Sequence, residues 1–197
     1  SIAEYGFLDT SIVVAKLGLR IDDADDQINT AISLNPSVFF LSFGANDLEI
    51  YKKHGIWAVI NAGSNSKLAS GIAPLEKMQK AGINTAIGTD GPSSNNALDM
   101  FREMYLAAVT QKLKTSDAAA CDAAELLKSA TVGGAHCMGL YNCDIIDNGK
   151  KADLTVIDLH RPNMQPINNI IKNIVYSGSK ENVKQIGRAS GKECRSR

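Results

Sequence analysis

Between Trp57 and Met100 the apolar and polar positions fall into blocks that predict strand, polar loop, helix, strand and a second polar loop entering another helix. The apolar run Trp57 to Ile60 gives way to Asn61, Gly63, Ser64 and Asn65, residues that punctuate turns. Leu75, Met78, Gln79 and Ala81 have helical spacing, and Gly82 stands where it closes the last turn. Asn84 to Gly88 is a short, mostly apolar run suited to a buried strand, and it leads straight into Thr89-Asp90-Gly91. An aspartate at the C-terminal end of a buried strand occupies the edge where parallel α/β folds gather binding and catalytic groups. The strand fixes the side chain there and the loops shape the pocket.

The same reading extends outward. Ser11 to Ala15 is a β-branched run that predicts a strand, and Val38 to Phe43 is a second strand-like run. After Asp90, Asn95 or Asn96 can cap a helix whose apolar face is Leu98, Phe101, Met104, Tyr105 and Ala108. Ser116 or Asp117 starts a further helix through Ala123 and Leu127, and Ser129 to Leu140 reads as a third. Residues 149–158 give a turn and an alternating strand, and Ile170 to Tyr176 reads as another strand. From residue 185 the chain becomes basic and small, which predicts a disordered or non-native tail over 185–197. The acidic run Asp22 to Asp26 lacks the glycine and terminal glutamate of a calcium loop and reads as a solvated helix start.

Composition narrows the function. The chain has 197 residues, 44% of them hydrophobic, and a formal net charge of zero, which argues against nucleic acid or an anionic membrane as partner. No apolar run is long enough to span a bilayer. Cys121, Cys137, Cys143 and Cys194 form no CxxC pair and read as reduced thiols of a cytoplasmic protein. Phosphate-cradling GxGxxG and P-loop patterns are absent. Ser64 and Lys67 fit the S-x-x-K of penicillin-binding hydrolases, but no K-T-G accompanies them.

The strings SNSKLASGIAP, GTDGPSSNNALDM, KSATVGGAHCMGL, NGKKADLTVIDL and PINNIIKNIVYSGSKENVK, covering most of residues 56–184, closely resemble the amidohydrolase superfamily. The resembled branch holds 5-methylthioadenosine/S-adenosylhomocysteine deaminases, guanine deaminase and the triazine chlorohydrolases. This resemblance implies an α/β fold, the C-terminal half of a (β/α)8 TIM-type barrel over residues 1–143 with part of a small β-sandwich domain over 144–184. A whole barrel takes about 250 residues. The missing strands imply open sheet edges that a homodimer or another segment would cover.

The implied chemistry is hydrolytic deamination of a small molecule, an adenosine-type nucleoside with a modified 5′ group, by water activated on one divalent metal, zinc or iron. A bound metal brings the pKa of water near neutrality, and a neighbouring carboxylate can take the proton. By resemblance Asp90 is the metal ligand and catalytic carboxylate. Ser94 faces the substrate or caps a helix, and Lys67 and Ser70 organise the preceding loop. Other readings stay open: a triazine chlorohydrolase within the same chemistry, or an inactive structural or oligomer-forming remnant. The remnant reading draws on Lys16, which stands where the family carries a histidine ligand, and on residues 22–55, which depart from the family. His54, His136 and His160 fall at none of the ligand positions and read as surface or structural histidines, the other ligands being expected upstream of Ser1.

Overall fold

A computed structural model of the chain describes the backbone of residues 13–14 and 39–40, Lys52, and residues 55–189. Lys16, His54, the acidic run 22–26 and residues 190–197 lie outside the described residues. β1 (Val13–Val14) and β2 (Phe39–Phe40) pair in parallel, each inside a run that predicted a strand.

β3 (Ala58–Ile60) pairs in parallel with β4 (Thr85–Ile87), with Ala58 opposite Thr85 and Ile60 opposite Ile87. Parallel neighbours need a crossover, here made by α1 (Ala62–Lys67) and α2 (Leu75–Lys80). Gly82, at φ +75°, closes α2 as expected. All three residues of β4 are buried, so this strand is a fixed platform for the loop that follows it.

That loop contains the single turn α3 (Pro92–Asn95) and leads to α4 (Met100–Thr115). The cap of α4 is Asp99, whose carboxylate accepts from the backbone N–H of Phe101 and Arg102; the expected caps Asn95 and Asn96 lie ahead of it. The buried face of α4 is Glu103, Met104, Ala107, Ala108 and Gln111, whereas Leu98 and Tyr105 are exposed. Ser116 ends α4 in the left-handed region rather than starting the next helix. α5 (Ala123–Lys128) is capped by Asp122 and continues through a π-helical turn, Ser129–Gly133, into α6 (Gly134–Cys137). The π-helical turn packs on β4, where the hydroxyls of Thr85 and Ser129, both buried, are 2.9 Å apart.

β5 (Ala152–Ile157) forms an antiparallel pair with β6 (Val183–Ala189), irregular at Val156/Ile157. Residues 185–189 are therefore strand, where the sequence predicted the start of a disordered tail. Between β5 and β6 lies α7 (Ile170–Tyr176), which corrects the expected strand. Asn169 caps it through Lys172 N–H, and Val175 is fully buried beside partly buried Ile174, so its apolar residues serve a helical face. α7 packs on α4 and α5. Asn182, with no exposed surface, donates to the carbonyl of Asp158 and accepts from Ser179 N–H, joining the ends of the antiparallel pair.

His136, expected to be a surface or structural histidine, pairs with Asp144. Its Nε2 lies 2.7 Å from Asp144 Oδ2, and Lys150 Nζ donates to the other oxygen at 2.6 Å. Trp57 and Tyr141 flank the ring. The Lys150 ammonium, then the His136 ring, hold the Asp144 carboxyl far below the usual carboxylate range. His160 is exposed in the turn after β5. No helix among the described residues is long and apolar enough to cross a membrane.

One apolar core thus joins β3, β4, α2, α4, α5 and α7, with Leu75, Leu126 and Val175 fully buried in it. Truncation of Leu126 to alanine is expected to cost about 2–5 kcal/mol, the usual range for a core leucine. The check is a lowered denaturant midpoint at unchanged slope.

Candidate functional site

Asp90 follows β4 at the strand's carboxyl end and takes φ +60°, the left-handed region that a non-glycine residue enters at a cost. Hydrogen bonds hold both its carboxylate and the backbone beside it. Ser64 Oγ, from α1, donates to Asp90 Oδ2 at 2.6 Å. Gly91 N–H donates to Oδ1 at 2.7 Å. On the backbone side, Asn95 Nδ2 donates to the carbonyl of Thr89 at 2.6 Å.

The Ser64 hydroxyl, then Gly91 N–H, lower the Asp90 carboxyl below its ordinary value; burial opposes them and the Ser94 hydroxyl adds the least. Asp90 itself is solvent-exposed. It is therefore an ionised, preset carboxylate at neutral pH, with lone pairs left over for a ligand. Ser94, the predicted substrate contact, adds to the lowering of the Asp90 carboxyl and makes no side-chain helix cap.

Beneath Asp90 lies a polar cluster that periodicity did not reveal. Glu103, on α4, has no exposed surface, and Asn95 is 3% exposed. Glu103 Oε2 accepts from Gly63 N–H at 2.8 Å, and Oε1 accepts from Asn95 Nδ2 at 2.7 Å. The fit is close enough that a Cβ at residue 63 would meet Glu103 Oε1 and both amide atoms of Asn95, so any larger residue there would have to displace the buried pair. Asn95 Oδ1 is buried without a hydrogen-bond partner, a cost of about 1–3 kcal/mol. Its amide cannot turn over, because Nδ2 serves two acceptors at once. The available signal was Glu103 itself, a charged residue four and eight positions before the buried Ala107 and Gln111 on the same face of α4. The role of Ser64 had no such signal, since only the fold brings it to Asp90.

Lys67 donates to the carbonyl of Ser93 at 3.1 Å and to Asn96 Oδ1, tying the loop after β3 to the loop after β4. It thus organises the loops, and with Ser64 turned to Asp90 the S-x-x-K pair makes no catalytic dyad. Ser70 is exposed, with its N–H on the carbonyl of Asn65. A shallow hollow between α1 and α4, bordered by Ile72, Ala73 and Gln111, does not include Asp90 or Ser94. Among the described residues no three His, Cys, Asp or Glu gather into a group able to hold a metal ion. Asp90 stands there as a single carboxylate donor.

A loop-borne carboxylate at the carboxyl end of a buried parallel strand stands at the edge where parallel α/β folds gather their functional groups. The amidohydrolase family model matches residues 5–188, and the chain belongs to that family. Over 139 residues it is 43% identical to the 5-methylthioadenosine/S-adenosylhomocysteine deaminase of Thermococcus onnurineus, covering 71% of this chain and 32% of the relative. The chain thus spans about a third of the length of the curated relatives it matches. Its structure is similar to a zinc-bound adenosine deaminase from Xanthomonas campestris, with TM-score 0.74, 32% identity and coverage of 85% of this chain and 41% of that one. It is also similar to the zinc complex of atrazine chlorohydrolase from Arthrobacter aurescens, with TM-score 0.77, 18% identity and coverage of 93% and 43%. At that identity the second likeness carries the fold alone.

Replacing Ser64 with alanine is expected to raise the Asp90 carboxyl toward its ordinary value of 3.8. In the parent chain the folded value lies below the unfolded one. The stabilisation linked to Asp90 is therefore present above the unfolded value and is lost as pH falls through the folded one. Carboxyl-carbon NMR titration of both chains reads the difference, and coincident curves would contradict this role of Ser64.

Proposed function

We propose that this chain carries the catalytic-aspartate segment of a metal-dependent deaminase acting on adenosine-type nucleosides with a modified 5′ group. The observation that carries the reading is Asp90, kept ionised by Ser64 at the end of a buried parallel strand. The 43% identity to a 5-methylthioadenosine/S-adenosylhomocysteine deaminase supports the substrate class. In this reading β3 and β4 are barrel strands within residues 1–143. The β5–β6 pair belongs to a small β-domain that begins near residue 144 and runs to residue 189 rather than 184.

The reaction replaces the ring amino group by oxygen: water adds to the carbon bearing the amine, and ammonia leaves. Asp90 accepts a proton from the incoming water and passes it to the departing nitrogen, and the Ser94 hydroxyl helps hold the ring. The family's single zinc or iron ion would take Asp90 among its ligands. The described residues do not by themselves compose that centre. The chlorohydrolase reading rests on a likeness of fold at 18% identity and is weaker.

The test is a chimera in which residues 56–184 replace the matching segment of the Thermococcus onnurineus deaminase. It is expected to release ammonia from 5′-methylthioadenosine, and Asp90→Asn is expected to lower kcat by about 10²–10⁴-fold, the usual worth of a positioned acid–base group. Chloride release from a chlorotriazine without ammonia from nucleosides would assign the alternative chemistry. A folded chimera active on neither would favour the inactive remnant.

A further inference from the structure

Glu103 touches neither solvent nor Asp90, yet both supports of Asp90 lead back to it. One support runs from Glu103 Oε2 to Gly63 N–H, 2.8 Å away, and the next residue, Ser64, holds Asp90 Oδ2. The other runs from Glu103 Oε1 to Asn95 Nδ2, and that same nitrogen holds the carbonyl of Thr89, the residue before Asp90. The two supports reach Asp90 through different groups, one through its carboxylate and one through the carbonyl of the residue before it. We propose that Glu103 and Asn95 are positioning residues, a buried clamp that sets the left-handed Asp90 backbone and aims its carboxylate from beneath.

Three features set this clamp apart from an ordinary buried polar pair. Asn95 keeps Oδ1 buried and unpartnered in order to direct Nδ2 at both Glu103 and Thr89. Space at residue 63 is closed by Glu103 and Asn95, so the clamp and the helix carrying Ser64 fit in one arrangement. Asp90 at φ +60° is a conformation that its surroundings must impose. Glutamine at 103 would keep the shape, but one end of its amide is a donor. It cannot accept from Gly63 N–H and Asn95 N–H together.

The clamp's catalytic importance rests on the proposed role of Asp90, whereas its structural action does not, and the experiment separates the two. NMR of the chain with Glu103→Gln is expected to show a changed amide-to-Hα coupling at Asp90 as φ leaves +60°, and Gly91 amide exchange at least about tenfold faster by local opening. Asn95→Ala is expected to give the same two changes and serves if the Glu103 variant does not fold. Leu126→Ala, which weakens the core from α5, is expected to leave the Asp90 coupling unchanged. In the active chimera, Glu103→Gln is expected to reduce kcat by about 10²-fold with little change in KM, the effect of a misplaced reacting group.

A folded Glu103 or Asn95 variant with unchanged Asp90 coupling and Gly91 exchange would overturn the clamp. So would the same coupling change in Leu126→Ala, since Asp90 would then be following general stability. NMR changes of the expected kind together with an inactive parent chimera would uphold the clamp and reject only the deaminase reading.

Discussion

A carboxyl group with no exposed surface must find donors inside the protein, because burial strips away the water that would otherwise serve it. Glu103 meets that demand with one N–H from the first turn of α1 and one from the side chain of Asn95. The arrangement explains the local sequence around it. Ala62–Lys67 contains Gly-Ser-Asn-Ser, a poor helix by intrinsic preference, and it has no side-chain cap. Its first-turn N–H is met instead by Glu103 from α4, so a tertiary contact supplies what local sequence lacks. Gly63 is the cost of that closeness, since any side chain there would strike Glu103.

The limits of the sequence follow from the same physics. Trp57 to Ile60, Leu75 to Ala81 and Asn84 to Gly88 were readable because one apolar periodicity and one set of end signals agreed in each. Asn61 to Asn65 was not, because its helix depends on a residue forty positions away. Ile170 to Tyr176 misled through β-branched composition, although Asn169 caps it and Ile174 and Val175 fall on one helical face. The cap of α4 was misplaced because Asn95 was given a cap's role, when its amide is committed to Thr89 and Glu103 and Asp99 does the capping. Asp90 itself was legible, as a polar residue ending a buried strand within a specific motif. Its support was not, because Ser64 and Asn95 look ordinary where they stand, and even Glu103, a charge on the apolar face of α4, acquires meaning only when the fold brings the three together.

Those supports also shape what Asp90 can do. A carboxylate that accepts from Ser64 Oγ and Gly91 N–H is a weaker base than a free one. General base catalysis is most effective when the pKa lies near the working pH, so the resting arrangement favours a stable charge over proton affinity. Within the proposed reaction the two demands are met at different moments. The Ser64 hydroxyl donates to Asp90 while the carboxylate is ionised, but a hydroxyl has acceptor lone pairs and can rotate. Once Asp90 holds a proton on Oδ2, Ser64 can turn from donor to acceptor and keep the same 2.6 Å contact with its polarity reversed. The lowered carboxyl then belongs to one state of a reversible pair. A backbone clamp that keeps Asp90 still while Ser64 turns allows the proton to come and go without the site losing its geometry.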